Sequence, residues 1–208
     1  DVLVTNHPAF GGSHLPDVTV MCGLFDREAH LLGYLANRAH HAEIGGAQPG
    51  SMPPRAVRLE EEGVVLTPSW FVRDGQSRFE ELRKPFGEGP YPSRMVEENL
   101  ADLQAQLAAL RRGTTLFAQL LDQFSREGLE TAMAWILDGG RKAFARRLDT
   151  TGMEDFSVEE RLDDGQRICI SGGLRKDRLR IDFSGTDLEH PGNLNATPAI
   201  VKSALLYV

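Results

Sequence analysis

The chain has 208 residues, 41% of them hydrophobic, enough apolar material for one sizeable core or two small ones. Its 23 basic and 30 acidic side chains leave a net charge of −7, which argues against nucleic acid or an anionic membrane surface as a partner. Only Cys22 and Cys169 occur, far apart and in apolar surroundings, so neither a disulfide framework nor a cysteine metal site is suggested, and both thiols read as buried in a reducing compartment.

No stretch offers about 20 consecutive apolar residues and the N-terminus has no basic-then-apolar leader, so the expectation is a cytoplasmic protein. The chain starts inside the strand-like run Asp1-Val2-Leu3-Val4-Thr5 and stops inside Ala204-Leu205-Leu206-Tyr207-Val208. Both ends therefore read as cut rather than natural.

Residues 1–92 form the first region. Up to about residue 72, short β-branched runs such as Val18-Thr19-Val20-Met21 and Val64-Val65-Leu66, punctuated by Gly and Pro, predict strands and loops. Residues 74–93 are polar and rich in Gly and Pro, which predicts a long excursion with at most one short helix.

Residues 93–150 change to a helical pattern. Met95, Leu100, Leu103, Leu107 and Leu110 recur at spacings of three to five behind Glu97 and Glu98, predicting a helix that runs to Phe124. Gly128 is the expected break. Beyond it, Leu129, Met133, Ile136, Leu137, Phe144 and Leu148 predict a second amphipathic helix, and the pair should pack together because each stripe needs a cover.

Residues 151–208 return to strand signals. Phe156–Leu162, the turn Asp163-Asp164-Gly165, Arg167–Ile170 and Leu179–Phe183 predict an antiparallel meander, and Pro198 opens a final helix. The fold class is α+β: a strand-rich N-terminal part, a central pair of long amphipathic helices, a β-meander and a C-terminal helix.

Chemistry concentrates in two glycine-flanked segments. In Gly11-Gly12-Ser13-His14-Leu15-Pro16-Asp17, an imidazole and a carboxylate three residues apart suit one divalent cation, although a turn histidine more often makes local hydrogen bonds. In Ala36-Asn37-Arg38-Ala39-His40-His41-Ala42-Glu43-Ile44-Gly45-Gly46, adjacent histidines on an extended strand face opposite ways. One of His40 and His41 is then a ligand and the other a supporting or substrate-contacting group. Imidazole and carboxylate together suit Zn²⁺, Mn²⁺ or Fe²⁺, which polarise a carbonyl or lower the pKa of bound water.

Other site chemistries fail on spacing. His41-Ala42-Glu43 has no Pro-Cys-x-x-Cys to complete a zinc deaminase, Gly45 to Gly50 lacks the Lys-Ser/Thr of a P-loop, and no serine sits in Gly-x-Ser-x-Gly.

These two segments, with Pro49-Gly50-Ser51-Met52-Pro53, Glu97-Glu98-Asn99-Leu100-Ala101-Asp102-Leu103 and Asp182-Phe183-Ser184-Gly185-Thr186, resemble the hydantoinase B/oxoprolinase family, which includes subunits of acetone and acetophenone carboxylases. The resemblance runs in order across almost the whole chain. It implies a B-type subunit working with an ATP-binding A-type partner that phosphorylates an amide or carbonyl oxygen, this subunit then completing metal-assisted hydrolysis of a hydantoin, 5-oxoproline or similar lactam.

The resemblance places the metal on His14, Asp17 and His40, with His41 as a fourth candidate, and gives Asn37, Arg38, His41 and Glu43 catalytic or substrate-contacting roles. Asn193 and Asn195 are expected to cap the last helix or line the site, capping being the stronger reading. Where relatives carry Asn-Asp-Pro this chain has Asn6-His7-Pro8, a further imidazole near the site. The family pattern also implies an N-terminal carboxylate that is not in this sequence. Two alternatives share the scaffold: a subunit of an ATP-dependent ketone carboxylase, and a catalytically incomplete assembly module.

Overall fold

Alternation of apolar and polar residues builds the first sheet. In β2 (Asp17–Phe25), Val18 and Val20 point inward and are fully buried, while Asp17, Thr19 and Met21 face outward. It pairs antiparallel with β1 (Val2–Thr5) and β3 (Leu31–His40); β4 (Ser69–Arg73) and the two-residue β5 (Gln76–Ser77) complete the order β3-β2-β1-β4-β5. A computed structural model describes residues 1–152, 154–175 and 178–207.

The inner face of this sheet meets helices. Val2, Val4, Val18, Val20, Phe71 and Val72 share one core with Leu82 and Phe86 of α2 (Phe79–Gly87) and with Leu100, Leu103, Leu107 and Leu110 of α3 (Val96–Thr151). Those four leucines fall three or four residues apart on one side of α3, so a single stripe is buried. Burying such a side chain stabilises by about 1.5–3 kcal/mol. Gly113 lets α3 approach closely, since a Cβ there would stand 2.5 Å from Leu35 Cδ2.

The chain divides into two compact units, residues 1–123 with 191–208, and residues 124–190. The first holds the five-stranded sheet, the 3₁₀ turn Pro8–Phe10, α1 (Leu59–Glu62), α2, the start of α3, and α4 (Pro198–Tyr207). The second holds the rest of α3 and an antiparallel meander, β6 (Phe156–Arg161), β7 (Arg167–Arg175) and β8 (Arg178–Asp182). In its β6–β7 hairpin, Gly165 takes φ +88°, the left-handed turn that Asp163-Asp164-Gly165 predicts.

The excursion at 74–93 carries the one short helix expected there, the nine-residue α2, beside the two-residue β5. Two expectations change. The helix break is at Ser125 (φ 62°, ψ 166°), three residues before Gly128, which stays helical because nothing there requires a positive φ. The second apolar stripe is also covered only at its far end: Met133, Ile136, Leu137 and Phe144 are 43%, 63%, 76% and 46% exposed, whereas Leu148 is buried.

The last helix takes its cap from Thr197, whose Oγ1 accepts the Ile200 N–H, with Pro198 at the first helical position. This corrects the capping role expected of Asn193 and Asn195. Asn193 donates instead to the Pro53 carbonyl (2.8 Å) and Asn195 to that of Gly192 (3.0 Å).

Candidate metal centre on the outer sheet face

The register of β2 against β3 sets Asp17 opposite His40, both at strand ends and on the outward face. The glycine loop before β2 then carries His14 back over Asp17. Asp17 Oδ1 lies 3.2 Å from His40 Nδ1, and Asp17 Oδ2 lies 3.4 Å from His14 Nε2. The two imidazole centroids are 5.1 Å apart, so three residues from two segments supply donor atoms within 4.8 Å of one another.

The donors fit a divalent cation chemically. Two imidazoles and one carboxylate form a mixed nitrogen and oxygen set, and no thiolate takes part. Burial alone would raise the Asp17 carboxyl, but the Ser13 hydroxyl (2.5 Å) and the two imidazoles outweigh it and hold its pKa below the usual carboxylate value. His14 Nδ1 is buried with no hydrogen-bond partner among the described residues, while its Nε2 faces Asp17 Oδ2.

A family model described as Hydantoinase B/oxoprolinase matches residues 1–208. The chain belongs to that family. It is 40% identical to the 5-oxoprolinase of Saccharomyces cerevisiae over 219 aligned residues, which cover all of this chain and 17% of the yeast protein. The chain therefore spans about a sixth of the length of that relative. Its fold is similar to the ATP-dependent caprolactamase of Pseudomonas jessenii, with a TM-score of 0.86 and 21% identity, covering 99% of this chain and 35% of that one. It is also similar to a nucleotide-free acetone carboxylase, with a TM-score of 0.79 and 17% identity, covering 99% of this chain and 29% of that one.

Within this hydantoinase B/oxoprolinase chain, the remaining candidates separate by side of the sheet. Arg38 shares the outer face with His40 and donates to Thr19 Oγ1 (2.9 Å) and the Gly11 carbonyl (2.8 Å). His41, one residue beyond the end of β3, is fully buried and stacks on Phe86, so it stands outside the His14, Asp17 and His40 group. Burial lowers its pKa more than its contacts with Gln106 and Asp102 raise it, leaving a neutral ring. Its Nδ1 accepts from Asn99 and its Nε2 faces Gln106 Oε1.

Asn37 turns to α3, where its Nδ2 donates to the Gln106 carbonyl and its Oδ1 accepts from Gln106 Nε2. Glu43 holds the glycine loop by accepting the N–H groups of Gly45 (2.6 Å) and Gly50 (2.8 Å) and pairing with Arg94. His7 also stays outside the cluster, its Nδ1 accepting from the Ala9 N–H. The block Asp182–Thr186 turns back on β7, with Thr186 Oγ1 bonded to both backbone groups of Cys169.

Four supporting residues are absent from the sequence-based assignment: Ser13, Thr19, Asn99 and Gln106. One of them left a signal. Gln106 lies between Leu103 and Leu107 on a stripe that is otherwise apolar, and a buried amide there needs partners. It finds them in Val18, Asn37 and His41.

Proposed function

We propose that this chain is the metal-bearing part of an ATP-dependent cyclic amidohydrolase that hydrolyses a lactam such as 5-oxoproline or a hydantoin after an A-type partner has phosphorylated it. The observation that carries the reading is the convergence of His14, Asp17 and His40 in a chain of the Hydantoinase B/oxoprolinase family. These three residues would hold a divalent Mn, Zn or Fe ion. When bound, such an ion supplies Lewis acidity toward a carbonyl or phosphoryl oxygen and acidifies water.

The chain's own residues serve that purpose by position. Asp17 stays ionised and so remains a ligand, Ser13 fixes one of its oxygens, and the strand register holds His40 beside it. An unactivated amide is a poor electrophile, which is why a phosphorylating partner belongs in the reading; no P-loop occurs in this sequence. The relative at 40% identity is named for 5-oxoproline, which favours a lactam over the ketone of the alternative reading.

The test is elemental analysis of the purified chain beside a His14→Ala/His40→Ala variant whose fold is checked by circular dichroism. One equivalent of Mn, Zn or Fe in the parent and none in the folded variant is expected. A parent that takes up no metal on addition of any of the three sinks the reading. Lactam hydrolysis dependent on ATP and an A-type subunit is the second expected result.

A further inference from the structure

Arg38 is fixed in a way that leaves one edge of its guanidinium without a partner. Its side edge is used, Nε donating to Thr19 Oγ1 at 2.9 Å and Nη2 to the Gly11 carbonyl at 2.8 Å. Both acceptors are neutral, and no carboxylate among the described residues pairs with this cation in a chain of net charge −7. The end edge, Nη1 with the second hydrogen of Nη2, is left to bind something else, already oriented by the two anchors. A planar fork held in this way matches two oxygens of a carboxylate or phosphoryl group.

Its place on the sheet says where such an anion would lie. Arg38 pairs with Thr19 directly, one step along the outer face from the Asp17 and His40 pair. Alternate residues on one face of a strand are about 7 Å apart, a span a small molecule bridges. From these contacts we infer that Arg38 is the anion-binding residue of this face, taking the carboxylate or phosphoryl oxygens of a small substrate whose reacting bond lies at the His14, Asp17 and His40 cluster. The last part rests on the metal-site reading; the anion site itself does not.

The experiment is calorimetric titration of the chain, with and without Mn²⁺, using L-5-oxoproline, 2-pyrrolidinone and inorganic phosphate as probes. 2-Pyrrolidinone is the same lactam without the carboxylate. The Arg38→Gln variant keeps a donor for Thr19 or Gly11 and removes the charge. It is expected to weaken anion binding by about tenfold or more, the loss typical of a hydrogen bond to a charged group, with no change for 2-pyrrolidinone. Arg38→Lys keeps the charge without the fork and should fall between parent and Arg38→Gln, which protects the test if the glutamine variant is unstable.

Loss confined to 5-oxoproline identifies a carboxylate as the ligand, and loss confined to phosphate identifies a phosphoryl group. Parent affinity that is absent for both anions, or equal in parent and variants, overturns the inference. If Mn²⁺ does not bind but anion binding still depends on Arg38, the metal reading fails and the anion site stands.

Discussion

The two halves of α3 carry the same kind of apolar recurrence and meet opposite fates. Leu100, Leu103, Leu107 and Leu110 are buried against the five-stranded sheet and α2, while Met133, Ile136 and Leu137 of the second stripe are exposed and only Leu148 of it is buried. Periodicity fixes where a stripe lies on a helix, but not what will cover it. The first half is also fastened by polar groups, with Asn99 and Gln106 reaching His41, Asn37 and the Val18 carbonyl. No such buried network occurs among the described residues of the second half.

The largest test of that contrast is Leu103→Ala against Ile136→Ala, followed by chemical denaturation. Leu103 is fully buried and its truncation should cost about 2–5 kcal/mol. Ile136 is 63% exposed and should change stability by about 0.5 kcal/mol or less. Equal losses would mean that the second stripe is covered in solution. Next in size is Gln106→Leu, which leaves buried partners unsatisfied and should cost about 1–3 kcal/mol; an unchanged denaturation midpoint would show that the network contributes nothing.

Acid gives a smaller, graded effect on the segment leading into the first half, where Arg94 pairs with Glu43. Burial would raise the Glu43 carboxyl, but the N–H groups of Gly50 and Gly45 and the Arg94 guanidinium together hold it below 4.5. The unfolded chain therefore binds the proton more readily, so the contribution is complete above about 4.5 and is lost as the pH falls through the lower folded value. A Glu43→Gln variant should lack this slope in pH-dependent denaturation, and a slope identical to the parent's would assign it to other carboxylates. The smallest effect separates two glycines. A Cβ at Gly139 meets nothing within 4 Å, so Gly139→Ala should stabilise by about 1 kcal/mol in thermal melts. Gly113→Ala should give less or reverse sign because Leu35 is in the way; equal gains would show that Leu35 moves aside freely.

Elements with a clear period were legible in the sequence: β2 and β3, both halves of α3, the β6–β7 hairpin and the final helix. The helix break was not, because Gly128 signals tolerance of unusual backbone angles whereas the non-helical residue is Ser125. At the candidate site, His14, Asp17 and His40 were readable as metal-ligating types, and strand alternation separated His40 from His41. Ser13, which holds Asp17, lies only four residues from it, whereas Thr19 on Arg38 and Asn99 and Gln106 on His41 depend on strand register and on which side of α3 meets the sheet, so local pattern gave little warning of those three. Glu43 and Asn37 were given catalytic or substrate-contacting roles by the resemblance; the fold shows Glu43 accepting the Gly45 and Gly50 N–H groups and Asn37 bonded to Gln106.

The β2–β3 hairpin also sets how this stretch of gene can change length. Asp26–His30 lies mostly outside the ladder, its turn held by Asp26 accepting from the Glu28 and His30 N–H groups, so codons gained or lost there leave the strands in phase. Within Leu31–His40, a single added or deleted codon that kept the pairing would exchange inside for outside, burying His40 and expelling the neutral ring of His41. Length variation among descendants of this gene should therefore collect at the tip of the hairpin and leave the strand that ends at His40 untouched.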